Sequence, residues 1–332
     1  MSTIRIEGLS KSFQVKQKQQ GLWGSLQAFV KPKYLEKQAV KEINFSVDQG
    51  EILAFLGPNG AGKSTTIKML TGILHPSGGY AEVLGYCPWI DLHKLAYHIG
   101  SVFGQKSQMW YHLPPIDTFE LVSRIYEIKR QDYLLRRDDL VQRFELEPYL
   151  HTPVRKLSLG ERMRCEIAAA LMHRPQVVFL DEPTIGLDVV VKQKIRELIR
   201  EMNREEGTTI FLTSHDPGDI EQLCKRAIVI NHGQMVLDDK VTAIKRDFLT
   251  HKTIRLELSE AAADFLLPGV VVLKQKDTRL KLSVNTSQTT IEAVLAYIIK
   301  QYRIVDVTIE DPPMEEIITH IYARSIEGGD VS

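Results

Sequence analysis

The chain has 332 residues, room for more than one domain, with 42 acidic and 42 basic side chains and a formal net charge of +0. That balance leaves no electrostatic footprint for nucleic acid, and no run reaches the roughly 18 apolar residues that a membrane-spanning helix needs. The N-terminus lacks the apolar core of a signal peptide, and three widely spaced cysteines, Cys87, Cys165 and Cys224, form no metal pattern, so a reduced cytoplasmic protein is expected.

Near the N-terminus, Leu9-Ser10-Lys11-Ser12-Phe13 is separated from a strand-like stretch, residues 40–47, by an insertion at 14–38. Its first part is rich in Lys and Gln. Leu22, Leu26, Phe29 and Val30 then recur at helical spacing beside Lys31, Lys33 and Lys37. The pattern suits a short helix packed on the domain's own sheet, or one lying against lipid headgroups or a membrane partner.

The apolar run Ile52–Leu56 leads into Gly57-Pro58-Asn59-Gly60-Ala61-Gly62-Lys63-Ser64, and Lys63–Leu70 follows as a helix-like stretch. Strand, glycine-rich loop and helix is the context of a phosphate loop, G-x-x-x-x-G-K-[ST]. Glycines let backbone N–H groups wrap phosphate oxygens, and the helix N-terminus adds partial positive charge there. The motif assigns Lys63 to the β- and γ-phosphates and Ser64 to magnesium.

Ile99–Phe103 reads as a strand ending just before Gln105. Leu157-Ser158-Leu159-Gly160-Glu161 precedes a helix-like run, residues 162–173, which Ser158 suits as an N-cap. Residues 177–180 are four consecutive apolar side chains, the pattern of a buried parallel strand. The carboxylate that follows, Asp181, is placed to hold magnesium through water, and Glu182 to polarise an attacking water once the strand end releases it. Thr209–Thr213 is a further strand, ahead of His215.

Beyond a junction near residues 238–251, residues 254–258, 280–284 and 305–309 alternate with the period of half-buried strands. Ile291, Val294, Leu295, Ile298 and Ile299 trace one helix face. With residues 259–266 as a first helix and 270–273 as a second strand, the order is βαββαβ, that of a small ferredoxin-like α+β domain. A last amphipathic piece, residues 314–322, is placed to pack on it or on a sister subunit.

In this order the phosphate loop, the segment 157–161 and the run 177–182 resemble the ATP-binding cassette ATPases, the motor subunits of ABC transporters. The resemblance covers residues 1–240 and implies an α/β P-loop NTPase fold that binds ATP and Mg2+. It implies that Gly57, Pro58, Asn59, Gly60, Ala61, Gly62, Lys63, Ser64 and Thr65 hold ATP, with Phe13 stacked on adenine. Ser64, Gln105 and Asp181 would hold magnesium, and Glu182, His215 and Gln105 would serve hydrolysis. Leu157, Ser158, Leu159, Gly160 and Glu161 would contact a γ-phosphate held by a second subunit, and Asp188, in Gly186-Leu187-Asp188, would cross to that subunit. The chain departs from the commonest family form at Leu159, where glycine is usual, and at Glu161, where glutamine is usual.

The more specific likeness is to exporter ATPases of the drug- and polysaccharide-export type, whose permeases are separate chains and whose C-termini carry an accessory domain. Residues 1–240 are then the ATPase domain, 241–252 a linker and 253–332 the accessory domain. The implied assembly is a homodimer or pseudodimer around two ATP-Mg, peripheral on the cytoplasmic face of the cell membrane and driving transmembrane permease subunits. The alternative is a soluble ABC ATPase acting on nucleic acid or ribosomes. That class carries paired cassettes, a long coiled coil or zinc-binding cysteine pairs, and the sequence has none of these.

Overall fold

The computed structural model of the chain describes residues 2–16, 34–104, 107–214, 216–248, 251–260, 267–311, 314, 316–318 and 321–322. Strand β1 (Ser2–Lys16) pairs antiparallel with β2 (Tyr34–Asp48). Ile4, Ile6 and Leu9 of β1 and Val40, Ile43, Phe45 and Val47 of β2 are buried, which is what alternation requires of a sheet with one covered face. Residues 14–16 and 34–38 of the expected insertion prolong this hairpin. Its helix-spaced Leu22, Leu26, Phe29 and Val30 lie outside the described residues.

β3 (Ile52–Leu56) opens a different sheet and runs through the phosphate loop into α1 (Lys63–Leu70); β4 (Gly78–Val83) then returns to the free edge of β1. The chain continues through α2 (Leu92–Ala96), β5 (Ile99–Phe103), α3 (Pro115–Ile125), α4 (Arg130–Arg143) and α5 (Leu159–Ala170). β6 (Val177–Asp181), α6 (Val189–Glu206), β7 (Thr209–Thr213), α7 (Pro217–Leu223), β8 (Arg226–Asn231) and β9 (Gln234–Lys240) complete the first unit. The second sheet has the order β5-β6-β7-β3-β8-β9. Its central strands pair in parallel and are apolar on both faces, the composition that a sheet covered on both sides demands. Phe45, Phe55, Phe179 and Phe211 interlock between the two sheets, with ring centroids 5.2–6.2 Å apart.

The helices after β5 are held by a buried cation. Arg136 of α4, 2% exposed, donates from Nη1 and Nη2 to Glu206 at the end of α6, at 2.6 and 2.9 Å. Its Nε and Nη2 also donate to the Leu171 carbonyl just past α5, at 3.2 and 3.0 Å. One side chain thus ties three helices together.

The chain divides into two compact units, Met1–Asp238 and Asp239–Ser332. Part of the stretch expected as linker is helical: in α8 (Val241–Phe248), Val241 and Ile244 recur three apart and are buried. β10 (His251–Leu258), β11 (Val270–Lys276), β12 (Arg279–Asn285), α9 (Ile291–Gln301) and β13 (Ile304–Glu310) follow, with antiparallel strand order β11-β12-β10-β13. That is the ferredoxin-like order, the two outer strands being the second and fourth in the chain. Val294 and Ile298 of α9 pack on Ile254, Leu256, Leu280, Leu282 and Val284. Of the first expected helix, residues 261–266 lie outside the described residues. In the last amphipathic piece Met314, Ile317 and Ile321 are buried. Among the described residues Cys87, Cys165 and Cys224 are free, and no helix is long and apolar enough to cross a membrane.

Candidate nucleotide site

The phosphate loop leaves the centre of the parallel sheet, where β3 lies between β7 and β8. Gly57 is there because the backbone comes too close for anything larger: a Cβ would stand 2.4 Å from the Ile230 carbonyl oxygen on β8. Gly62 answers a different demand. It adopts φ 111°, which L side chains rarely do, and a Cβ would meet the Ala39 carbonyl at 2.5 Å. Gly62 is also the N-cap of α1 and offers no side chain to it, so the helix keeps its positive end for an anion.

Lys63 is 5% exposed and donates from Nζ to the carbonyls of Gly57 at 2.7 Å and Pro58 at 3.3 Å. Burial holds its ammonium below the usual lysine range, while nearby Glu182 and Asp181 pull it back up. Ser64 is exposed and Thr65 half-buried at the start of α1, beside the exposed Asn59 and Gly60.

The two carboxylates share one anchor, Thr213 at the end of β7. Its hydroxyl donates to Asp181 Oδ1 at 2.6 Å. The Glu182 N–H points at the same hydroxyl oxygen, at 3.1 Å, and at the Thr213 carbonyl, at 3.0 Å. The strand pleat is not what turns Glu182 away from Asp181. β6 stops at Asp181, and Glu182 takes a left-handed conformation, φ 56°, a strained choice for a side-chain-bearing residue. It is 8% exposed, and its Oε1 lies 3.8 Å from Lys63 Nζ.

Gln105 and His215 lie outside the described residues, but the chain on either approach is placed. Gly104 donates its N–H to the Asp181 carbonyl at 2.9 Å, and a Cβ on it would meet the Glu182 carbonyl at 2.4 Å. Ser214, just before His215, is buried. The loops after β3, β5, β6 and β7 therefore converge at the carboxyl ends of adjacent strands, where α/β sheets bind ligands. Phe13 is 38% exposed on β1, with Lys11 Nζ over its ring, 5.3 Å from the centroid.

Residues 157–161 form a second assembly at the entry of α5 and α6. Ser158 N-caps α5 in a full capping box: its hydroxyl accepts from the Glu161 N–H at 3.3 Å, and the Glu161 carboxylate accepts from the Ser158 N–H at 2.8 Å. Glu161, unusual for the family, thus has a structural use. Gly160 allows close packing, since a Cβ would meet Val191 Cγ1 at 2.8 Å. Asp188 caps α6 by accepting from the Val191 N–H at 2.9 Å, and next to it Val189 and Val190 are exposed. Ser158 and Asp188 are exposed as well.

The available oxygen donors, the Ser64 hydroxyl and the Asp181 carboxylate, are hard ligands of the kind Mg2+ prefers. Among the described residues no cluster of three or more His, Cys, Asp or Glu could hold a metal by itself. Sequence reasoning passed over Thr213, which bonds both carboxylate residues, and Thr184, Ser214 and Arg196, which bond Asp219; all five are buried. Only tertiary contacts assemble them.

A family model described as ABC transporter matches residues 40–185. The chain is 32% identical over 199 residues to the ABC transporter ATP-binding protein NatA of Bacillus subtilis, covering 60% of this chain and 80% of the relative. It is 30% identical over 295 residues to the daunorubicin resistance ATP-binding protein DrrA3 of Streptomyces coeruleorubidus, covering 87% of this chain and 92% of the relative. Among solved structures, the ATP-binding cassette MJ0796 in a dimeric post-hydrolysis state bound to ADP and Pi superposes with a TM-score of 0.60 at 23% identity, over 72% of this chain and 98% of that one. This last likeness is one of fold.

Proposed function

The chain belongs to the ATP-binding proteins of ABC transporters and is an ATPase, and from that premise we propose that it is the motor subunit of an exporter with separate permease chains. The observation that carries the reading is the pair of a glycine cradle with an uncapped helix N-terminus and, facing its lysine at 3.8 Å, a strained and buried glutamate. Phosphates enter the cradle of residues 57–65, Phe13 stacks on adenine, and Lys63 exchanges its loop carbonyls for phosphate oxygens.

Ser64, Asp181 and Gln105 are the residues to hold Mg2+, which when bound supplies charge neutralisation at the β- and γ-phosphates. Glu182 orients the attacking water and accepts its proton. The water oxygen bonds to the γ-phosphorus, the bond to the bridging oxygen breaks, and ADP leaves. His215 supports the γ-phosphate. Most of the rate enhancement is positioning and charge stabilisation.

In a homodimer or pseudodimer, residues 157–161 and Asp188 of one subunit complete the site of the other, and closure on ATP moves the permeases. The exposed Ser158 and Asp188 at two helix entries support this arrangement. Export is supported by the alignment with a daunorubicin resistance protein over 87% of the chain, a span too long for residues 1–240 alone to account for. The subunit then lies peripherally on the cytoplasmic face, with residues 253–332 as its accessory domain.

The test is affinity purification of a tagged Glu182→Gln form from detergent-solubilised source membranes with ATP. Co-elution of one or two polytopic membrane proteins is expected. Recovery of ribosomes, nucleic acid or soluble proteins alone would replace this reading with that of a soluble ABC ATPase.

A further inference from the structure

We propose that Asp219 is a positioning residue for hydrolysis: one buried carboxylate that locks the loop carrying Glu182 to the loop carrying His215. This rests on the assignment of Glu182 as the base. Asp219, on α7, is 0% exposed. Its Oδ2 accepts from the Thr184 hydroxyl and from the Ser214 hydroxyl, each at 2.5 Å. Its Oδ1 accepts from Arg196 Nε at 2.7 Å. Thr184 is two residues past Glu182, and Ser214 is next to His215 in the chain.

Three donors on two oxygens is a demand that a carboxylate meets and an amide does not, because an amide presents one acceptor and turns a donor toward the rest. A buried charge survives only when paired, and Arg196, itself buried, supplies the cation. Arg196 Nη2 also donates to Asp216 Oδ1 at 2.9 Å, and Lys192 pairs with the other oxygen of Asp216. The three donors to Asp219 sit on separate elements: Arg196 on α6, Thr184 after β6, Ser214 after β7.

Glu182 is held at φ 56°, and a conformation of that kind persists only where the surroundings fix it. On the near side Thr213 holds its N–H; on the far side Thr184 is tied to Asp219. α6 begins at its N-cap Asp188, so the loop assigned to the opposite subunit stands on the helix that delivers Arg196. The arrangement ties one carboxylate to Thr184, two residues past the base, to Ser214, and to Arg196 on the helix that the subunit-crossing loop enters.

The test is steady-state ATP hydrolysis by the full chain as Thr184→Val, Thr184→Ser and Ser214→Ala, with Glu182→Gln as reference. Thr184→Val is expected to lower kcat about tenfold with KM within about twofold of wild type, the cost of a sub-ångström misplacement of the base. Thr184→Ser restores kcat. Thr184→Val with Ser214→Ala loses less than the product of the single losses, because both bonds act through one carboxylate. Wild-type kcat in both single variants, a rise in KM in place of the kcat loss, or multiplying losses would overturn the proposal. If Thr184→Val does not fold, Ser214→Ala with the same kcat and KM criteria decides. Near-normal turnover by Glu182→Gln sinks the base assignment instead, an outcome distinct from these.

Discussion

Lys63 Nζ faces Glu182 Oε1 at 3.8 Å, and both side chains are almost fully buried. The ammonium meanwhile donates to the Gly57 and Pro58 carbonyls, so the loop is held in shape by the group proposed to bind phosphate.

The pair separates binding from turnover. Lys63→Met removes the cation from the cradle, and nucleotide titration with a fluorescent ATP analogue should show affinity lost. Glu182→Gln removes a negative charge from beside the phosphates and should bind ATP at least as tightly, while phosphate release falls by about a hundredfold or more, the scale of a lost general base. Turnover above about a tenth of wild type in Glu182→Gln would place the base elsewhere.

The parallel strands were legible in the sequence because burial on both faces writes itself as apolar runs: Ile52–Leu56, residues 177–180 ahead of Asp181, and residues 210–212 between two threonines needed no tertiary knowledge. The phosphate loop was legible because its motif is contiguous in the chain, although Gly57 and Gly62 also answer tertiary contacts with Ile230 and Ala39. The turn at Glu182 was not, since no glycine marks its positive φ; Thr213, 31 residues away, holds it. α3 and α4 escaped notice for a related reason: the anchor of that region is Arg136, a charge that becomes a core residue only through Glu206, 70 positions on. The capping box at Ser158 and Glu161 was spelled in the sequence as S-x-x-E and read only as a serine cap.

That box gives a means of telling scaffold from chemistry in residues 157–161. Ser158→Ala and Glu161→Ala each break one arm and should each cost about 1 kcal/mol of stability in urea unfolding. Only Ser158 carries the hydroxyl assigned to the neighbouring subunit's γ-phosphate. Turnover should therefore fall steeply in Ser158→Ala and stay within about threefold in Glu161→Ala, once the comparable stability loss is accounted for. Equal activity losses in the two variants would reduce Ser158 to a helix cap.

Arg136 offers a stability test far from the nucleotide. Both terminal nitrogens of its fork donate to Glu206, and Nη1 also reaches Asp139 at 3.3 Å, so Arg136→Met leaves Glu206 without its buried cation while Glu206→Gln leaves the cation only the longer Asp139 contact as counter-charge. Each single change should cost about 3–5 kcal/mol, the range for breaking a buried pair, and the double change Arg136→Met with Glu206→Gln should cost less than the sum. Denaturant midpoints supply the cycle. Additive losses would mean that the two side chains stabilise the helices independently.

His173 gives the chain an acid sensitivity with a defined sign. Burial is the main cause that pushes its imidazole down to about 4, with Arg136 and His98 adding in the same direction and a bond to the Ile99 carbonyl, at 2.9 Å, opposing. Its ring stacks on Tyr126 with centroids 3.9 Å apart. The unfolded chain binds a proton near the ordinary value of 6.5 and the folded one only near 4, so the unfolded state takes up more protons in between, and stability falls as pH drops through that window. Glu166, whose carboxyl burial raises, works in the opposite direction on the acid side and stays in place in the comparison. His173→Gln keeps an N–H for the Ile99 carbonyl but has nothing to titrate. Urea midpoints measured between pH 7 and pH 4 should therefore fall less steeply for His173→Gln than for the wild type; parallel slopes would mean that His173 already titrates normally in the folded protein.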